Sequence, residues 1–62
     1  MNSYEVVFGD EENGIVFDTQ VVAEGTEHAL CAGRLEAWRE LPPELAREVD
    51  SDDTPYSVML SN

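Results

Sequence analysis

Several residue types that reinforce small proteins are missing from this sequence. Cys31 is the only cysteine among 62 residues, so no disulfide can form within the chain. With one cysteine and one histidine, His28, the sequence also lacks the ligand patterns of zinc sites. Because small secreted domains usually carry several paired cysteines, we expect a reducing, cytoplasmic setting and no metal or other cofactor.

Long hydrophobic runs are also absent. A membrane-spanning helix needs about 20 apolar residues, and no segment of this sequence approaches that length. The segment Met1–Glu5 lacks the basic start and apolar run of a signal peptide. We therefore expect a single soluble domain over residues 1–62, with a thin core, since so short a chain buries only about 60% of its unfolded surface.

The charge of the sequence is strongly one-sided. Three arginines and no lysine face 14 Asp and Glu residues, which gives a net charge of −11. This charge disfavours direct binding to nucleic acid and to anionic membranes. It favours a basic protein surface as partner, because opposite fields speed association. The alternative interpretation is that the carboxylates only keep the protein soluble in a salt-rich cytoplasm.

A hairpin is predicted in the first third of the chain. The segments Tyr4–Asp10 and Ile15–Ala23 are rich in valine and aromatic residues, and Asn13-Gly14 between them is typical of a type I′ turn. A two-residue turn there pairs Phe8 with Thr19. The same register places on one face of the hairpin the side chains that are expected to face the core, which are Tyr4, Val6, Phe8, Ile15, Phe17 and Val21.

Two helices are predicted after the hairpin. The first covers Glu27–Leu41, with Thr26 as its N-cap, and ends before Pro42-Pro43. At 100° per residue one arc of this helix is apolar and is expected to face the core. Its members are Leu30, Cys31, Leu35, Trp38 and Leu41. The second helix covers Pro43–Val49, because proline suits the first helical position.

A last strand is predicted over Tyr56–Leu60, with Tyr56, Val58 and Leu60 facing the core. The fold class is therefore α+β, in the order β-β-α-β, with one helix on one face of a three-stranded sheet and a short second helix after Pro43. Placing the last strand beside the first makes the sheet antiparallel. Placing it parallel to the second strand, through a right-handed crossover, is the alternative.

This order of elements predicts an acidic pole at one end of the fold. A helix of about 22 Å and strands of about 23 Å return the chain to the hairpin tip before the last strand begins. The residues expected there are Asp10, Glu11, Glu12, Glu44, Glu48, Asp50, Asp52 and Asp53. A further row of carboxylates, about 6 Å apart on a continuous helix, would be formed by Glu36, Glu40, Glu44 and Glu48, although the two prolines argue against that continuity.

No group of residues indicates catalysis, so we expect no enzymatic activity. Cys31 has His28 as its one possible base, but its position in the apolar arc predicts a buried thiol. The segment Asp50–Asp53 departs from the EF-hand calcium loop, which has glycine and glutamate where this chain has Pro55 and Ser61.

Six residues are candidates for a protein contact. Trp38 is expected in the core or at an interface, because tryptophan is favoured at binding hot spots. Arg34 lies in the apolar arc, where its stem can cover the core edge or its charge can pair with a second copy. The outer face of the sheet is predicted to carry an apolar strip for a dimer or a target, formed by Val7, Val16, Val22 and Met59.

In size, charge and lack of catalytic residues, the whole chain resembles small phage-encoded inhibitors, including anti-CRISPR and anti-restriction proteins that mimic DNA. No motif carries this resemblance, so it assigns no residue roles. It implies that carboxylates occupy the sites where a nucleic-acid-binding protein holds phosphates, and that binding weakens with salt. The alternative is a small homodimeric structural or regulatory protein of a halophilic cytoplasm.

Overall fold

A computed structural model describes residues 1–61. The elements follow the chain as strand β1 (Asn2–Asp10), strand β2 (Gly14–Ala23), helix α1 (Thr26–Glu40), helix α2 (Pro43–Val49) and strand β3 (Tyr56–Leu60). The strands form one antiparallel sheet in the order β2-β1-β3. The predicted α+β class is confirmed, and so is the position of β3 beside β1. Neither helix of the described chain has the length and apolar character needed to cross a lipid bilayer.

The hairpin turn is wider than predicted. Asp10 pairs with Gly14, which leaves Glu11, Glu12 and Asn13 at the tip. Gly14 has a positive φ of 92°, whereas no residue other than glycine has a positive φ in the described chain. The carboxylate of Asp10 accepts the backbone N–H of Asn13 at 2.7 Å and closes the turn. The predicted two-residue turn centred on Asn13-Gly14 is therefore wrong.

The wider turn slides β2 by two residues from its predicted pairing. Phe8 lies opposite Phe17, and Tyr4 lies opposite Val21. Because side chains alternate with a period of two, a slip of two residues keeps each of them on its predicted face. Tyr4, Phe8 and Val21 are accordingly buried in the core.

A β-bulge near the tip exchanges the faces of two β2 residues. The pairing steps from Phe8–Phe17 to Gly9–Ile15, so Val16 is an extra residue opposite β1. Beyond this bulge Ile15 is 52% exposed, whereas Val16 is partly buried against the core. The prediction that Ile15 is a core residue, with Val16 on the outer face, is therefore wrong.

Helix α1 contacts the sheet through small residues. Ala29, Gly33 and Ala37 are buried, and their spacing of four places them on one side of the helix. A Cβ atom added to Gly33 would lie 2.9 Å from Cγ1 of Val6 and 3.3 Å from Cε2 of Phe8. The helix backbone thus approaches the sheet too closely for a large side chain to stand between them.

This close approach overturns the predicted core face of α1. Leu30 and Leu41 pack at the margin of the core. Leu35, however, is 65% exposed and Trp38 is 43% exposed. Cys31 is also exposed, so the prediction of a buried thiol is wrong. The large apolar residues of α1 lie beside its contact with the sheet, because Ala29, Gly33 and Ala37 occupy the contact itself.

The boundaries of α1 differ slightly from those predicted. The helix begins at Thr26, and the preceding Gly25 is the N-cap, which makes no side-chain capping hydrogen bond. The carbonyl of Gly25 accepts the N–H of Ala29 at 2.9 Å. The predicted bounds of α2 and β3 agree with the structure.

The exposure of Leu35 predicts that truncation there costs little. Leu35→Ala should change the free energy of unfolding by no more than about 0.5 kcal/mol, as surface substitutions usually do. A leucine packed in the core would instead cost about 2–5 kcal/mol. Urea unfolding followed by circular dichroism measures the difference, and a loss of the larger size would contradict this orientation of α1.

Strand β3 is only partly covered by the helices. Its residues Tyr56, Val58 and Leu60 share the core side of the sheet with their partners in β1. Val58 packs against the core. Tyr56 is nevertheless 52% exposed and Leu60 is 58% exposed, because α1 lies mainly over β2. The predicted facing of these residues is right, but their predicted burial is wrong at both ends of the strand.

Candidate functional site

The topology brings the hairpin tip and the loop before β3 to the same end of the fold. The backbone N–H of Gly9 donates to the carbonyl of Pro55 at 2.8 Å. Beside this bond lies an open cleft of about 280 Å³. Its walls include Asn13 and Gly14 from the tip, and Glu48, Asp53 and Thr54 from the other side. Two acidic segments that lie some 40 positions apart in the sequence therefore meet.

Local hydrogen bonds hold the loop between α2 and β3. The hydroxyl of Thr54 donates to the carbonyl of Glu48. The N–H of Thr54 donates to the carbonyl of Ser51 at 3.2 Å. The N–H of Asp53 donates to the hydroxyl of Ser51, also at 3.2 Å. These bonds hold the loop without using the carboxylates of Asp52 and Asp53, whose side chains are exposed to solvent.

We define the anionic pole as the acidic residues of these two segments other than the ion-paired Asp50, namely Asp10, Glu11, Glu12, Glu48, Asp52 and Asp53. All except the half-buried Asp10 are exposed. Within residues 1–61, the ion pairs join Arg34 to Asp50 and Arg39 to Glu36, so none involves a residue of the pole. The electric fields of unpaired charges of one sign add together and attract a partner of the opposite charge.

Asp50 lies outside the pole, although the sequence predicted it there. Its carboxylate lies 3.6 Å from Nε of Arg34 and accepts the indole N–H of Trp38 at 3.4 Å. The guanidinium of Arg34 also lies 6.0 Å from the ring centre of Tyr56. Arg34 thus pairs within its own chain, at the edge of the core, and Asp50 neutralises it.

The predicted row of four glutamates is interrupted. Glu36 and Glu40 belong to α1, whereas Glu44 and Glu48 belong to α2, and the prolines between the helices end the first one. Glu36 is also paired with Arg39 at 3.1 Å. Of the four, Glu48 is the one that lines the cleft at the anionic pole.

The outer face of the sheet does not carry a continuous apolar strip. Val7, Val22 and Met59 do lie on this face, but the bulge turns Val16 toward the core. Polar residues separate the three that remain. Their cross-strand neighbours on this face include Ser3, Glu5, Asp18 and Ser57. The prediction of a contact strip on the outer face is therefore wrong as a continuous surface.

Exposed apolar side chains also lie on the helical side of the sheet. Cys31, Leu35 and Trp38 border a shallow hollow of about 350 Å³. A second hollow of about 260 Å³ separates α1 from Tyr56 and Val58 of β3. Sequence reasoning offered Trp38 as either a core or an interface residue, but it missed the rest of this surface because it assigned Cys31, Leu35 and Tyr56 to the core. The available signal was the spacing of Ala29, Gly33 and Ala37, which marks the face of α1 that fits closest to the sheet.

The remaining candidates for chemistry are accounted for by local structure. No group of three or more His, Cys, Asp or Glu side chains within residues 1–61 is arranged to hold a metal ion. His28 accepts the backbone N–H of Glu24 through Nδ1 at 3.3 Å, just before α1. This contact places the imidazole at the helix start, where it satisfies a loop amide.

Comparison with known proteins found no matching family model, no matching curated protein and no matching solved structure. A functional proposal for this chain therefore depends on its own surface. Charge, exposure and topology coincide at the anionic pole.

Proposed function

We propose that this chain is an acidic binding protein that masks a basic, nucleic-acid-binding surface of another protein. The observation that carries the proposal is the anionic pole, where two segments distant in sequence present unpaired carboxylates at one end of the fold. The carboxylates take the place of phosphates, as in the DNA-mimicking anti-CRISPR and anti-restriction inhibitors that the chain resembles in size and charge.

The chemistry of the pole suits arginine and lysine side chains of a partner. A carboxylate accepts charge-assisted hydrogen bonds from both and can bind a guanidinium in bidentate fashion. Glu11 and Glu12 are exposed at the tip, and Asp52 and Asp53 are exposed in the loop, so both segments of the pole offer acceptors to a partner. Glu48 and Asp53 also line the cleft between the segments. A surface that normally holds successive phosphates meets this requirement for several spaced cations.

The pole is also held in place before any partner binds. The Gly9–Pro55 bond joins the end of β1, next to the tip, to the residue before β3, and the Asp10–Asn13 bond closes the tip. Groups that are already positioned lose less conformational entropy on binding, so more of the electrostatic attraction appears as affinity.

The test is capture of a partner at two salt concentrations, with variants matched in charge. Immobilised wild-type chain should retain a nucleic-acid-binding protein from lysate of the source organism at about 50 mM salt and release it at about 500 mM. The pole variant replaces four exposed carboxylates, as Glu11→Gln, Glu12→Gln, Asp52→Asn and Asp53→Asn. It should weaken binding of the purified partner at least about tenfold, because neutralised contacts no longer offset desolvation.

The control variant removes the same charge away from the pole, as Glu5→Gln, Asp18→Asn, Glu24→Gln and Glu27→Gln. It should bind within about threefold of the wild type, since distant charges are largely screened. If the two variants weaken partner binding equally, binding depends on net charge alone and the anionic pole is not the binding site. A partner that keeps its DNA affinity in the presence of saturating chain would contradict masking.

A further inference from the structure

Strand β3 is an edge of the sheet with its outer backbone groups free to pair. Gly9 bonds to Pro55, and the N–H of Ser61 donates to the carbonyl of Ser3 at 2.9 Å. Bonded and non-bonded pairs alternate along an antiparallel ladder, so Ser57 and Met59 also direct their N–H and C=O groups toward β1. The residues between them are Tyr56, Val58 and Leu60, and their backbone N–H and C=O groups point away from β1.

This edge strand is short, but it lacks three other features that protect natural edge strands, which are charged side chains, proline within the strand and bulges. Residues 54–62 contain no Asp, Glu, Lys or Arg, in a chain of which 27% is charged. The opposite edge, β2, has both a bulge at Val16 and the charged Asp18. The chain thus protects one edge of its sheet and leaves the other open.

We infer that the occupant of this edge is a second copy of the chain, paired antiparallel with β3 about a two-fold axis at Val58. In this register Val58 faces Val58 of the second copy, and Tyr56 faces Leu60. Each of these facing pairs consists of outward-pointing residues, so each can exchange a pair of backbone hydrogen bonds. The two half-exposed side chains, Tyr56 and Leu60, become cross-strand neighbours on the helical side of a six-stranded sheet.

Charge limits where two copies can meet and sets the direction of their pairing. Two chains of net charge −11 repel each other overall, so they can pair only where their local charge is low, and β3 is an uncharged strand in both copies. The anionic pole lies at the start of β3. Antiparallel pairing therefore sends the two poles to opposite ends of the dimer, whereas parallel pairing would set them side by side. The dimer would offer two separated anionic surfaces, which goes beyond the proposed masking of one partner site.

Sedimentation equilibrium of the full chain tests the inference. The wild type should show a dimer of twice 6.9 kDa that dissociates on dilution. Leu60→Glu should raise the dimer dissociation constant at least about tenfold, because it places a charge beside Tyr56 of the second copy. Val22→Glu is the matched control on the protected edge, at a residue of similar exposure, and should change the constant by less than about twofold.

Salt separates this association from partner binding at the pole. Screening lowers repulsion between like-charged copies, so added salt should strengthen the dimer, whereas it weakens capture of a basic partner. If the dimer does not form, capture of a basic partner at the pole can still be tested, and the reverse also holds.

Amide exchange of the wild type supplies a measurement that needs no variant. The Val58 and Leu60 amides should exchange more slowly as protein concentration rises, while Met59, already bonded to β1, should change little. A chain that stays monomeric at every concentration and salt, with freely exchanging Val58 and Leu60 amides, would overturn the inference and leave this edge to a strand of a different protein. Equal effects of Leu60→Glu and Val22→Glu would also overturn it.

Discussion

Gly9→Ala is expected to unfold most of the protein. Gly9 has a φ of 106°, which side chains rarely permit, and a Cβ atom there would lie 2.3 Å from the carbonyl oxygen of Gly14 and 2.9 Å from Cα of Ile15. Both contacts are with backbone, so relief requires the hairpin strands to separate. Backbone strain of about 1–3 kcal/mol adds to this separation. A domain of this size is stabilised by only roughly 3–5 kcal/mol.

Gly14→Ala is the matched control for that substitution. Gly14 also has a positive φ, but a Cβ atom there meets nothing within 4 Å. It should therefore cost only the strain of a left-handed residue, about 1–2 kcal/mol. Thermal and urea unfolding of both variants give the comparison. Equal losses at the two positions would contradict the close approach of Gly9 to the opposite strand.

Gly9 also matters to the candidate site, because its N–H joins the tip to Pro55. Any fraction of the Gly9→Ala protein that stays folded should have the two halves of the anionic pole displaced from each other. We expect this fraction to lose partner capture as well as stability.

Gly33→Leu is the second substitution with a large expected effect. The Cβ position of Gly33 already lies 2.9 Å from Cγ1 of Val6, which is fully buried. A whole leucine side chain would push α1 off the sheet and expose the core. Overpacking by a few methylenes costs about 1–3 kcal/mol, and occasionally more. The larger insertion should exceed the stability of the domain, despite the gain of about 1 kcal/mol in helix propensity over glycine.

The control introduces the same side chain on the opposite side of α1. Cys31→Leu adds a leucine at an exposed position two residues away and should leave the free energy of unfolding within about 0.5 kcal/mol of the wild type. Circular dichroism and one-dimensional NMR distinguish a folded from an unfolded chain. A folded Gly33→Leu protein with native stability would contradict the packing of α1 on Val6.

The sequence was informative wherever local signals and topology agreed. The prolines before α2 and the alternation in β3 located those elements to the residue. The sequence favoured β3 beside β1, in an antiparallel sheet, over β3 parallel to β2, and the structure confirms the favoured placement. From that order alone followed the meeting of the hairpin tip with the loop around Asp53, which is the geometric basis of the candidate site.

The wrong predictions share one cause: a residue pattern does not show how closely two parts of the fold approach each other. Periodicity grouped Leu35 and Trp38 with the core, but it cannot measure how near α1 lies to the sheet. The Asn13-Gly14 pair suggested a tight turn, but the Asp10 carboxylate stabilised a wider one. Asp50 was counted with the acidic surface, although Arg34 and Trp38 hold it.

By itself, then, the sequence determined the order of the elements and the excess of negative charge, because these follow from composition and local preference. It favoured an antiparallel sheet but left open a parallel pairing of β3 with β2, and the structure decided between them. The tertiary structure alone decided which carboxylates remain unpaired, which side of α1 faces solvent and which sheet edge is open. These features depend on contacts between residues far apart in the chain, such as Gly33 with Val6 and Gly9 with Pro55, and no residue pattern encodes how closely such residues approach each other.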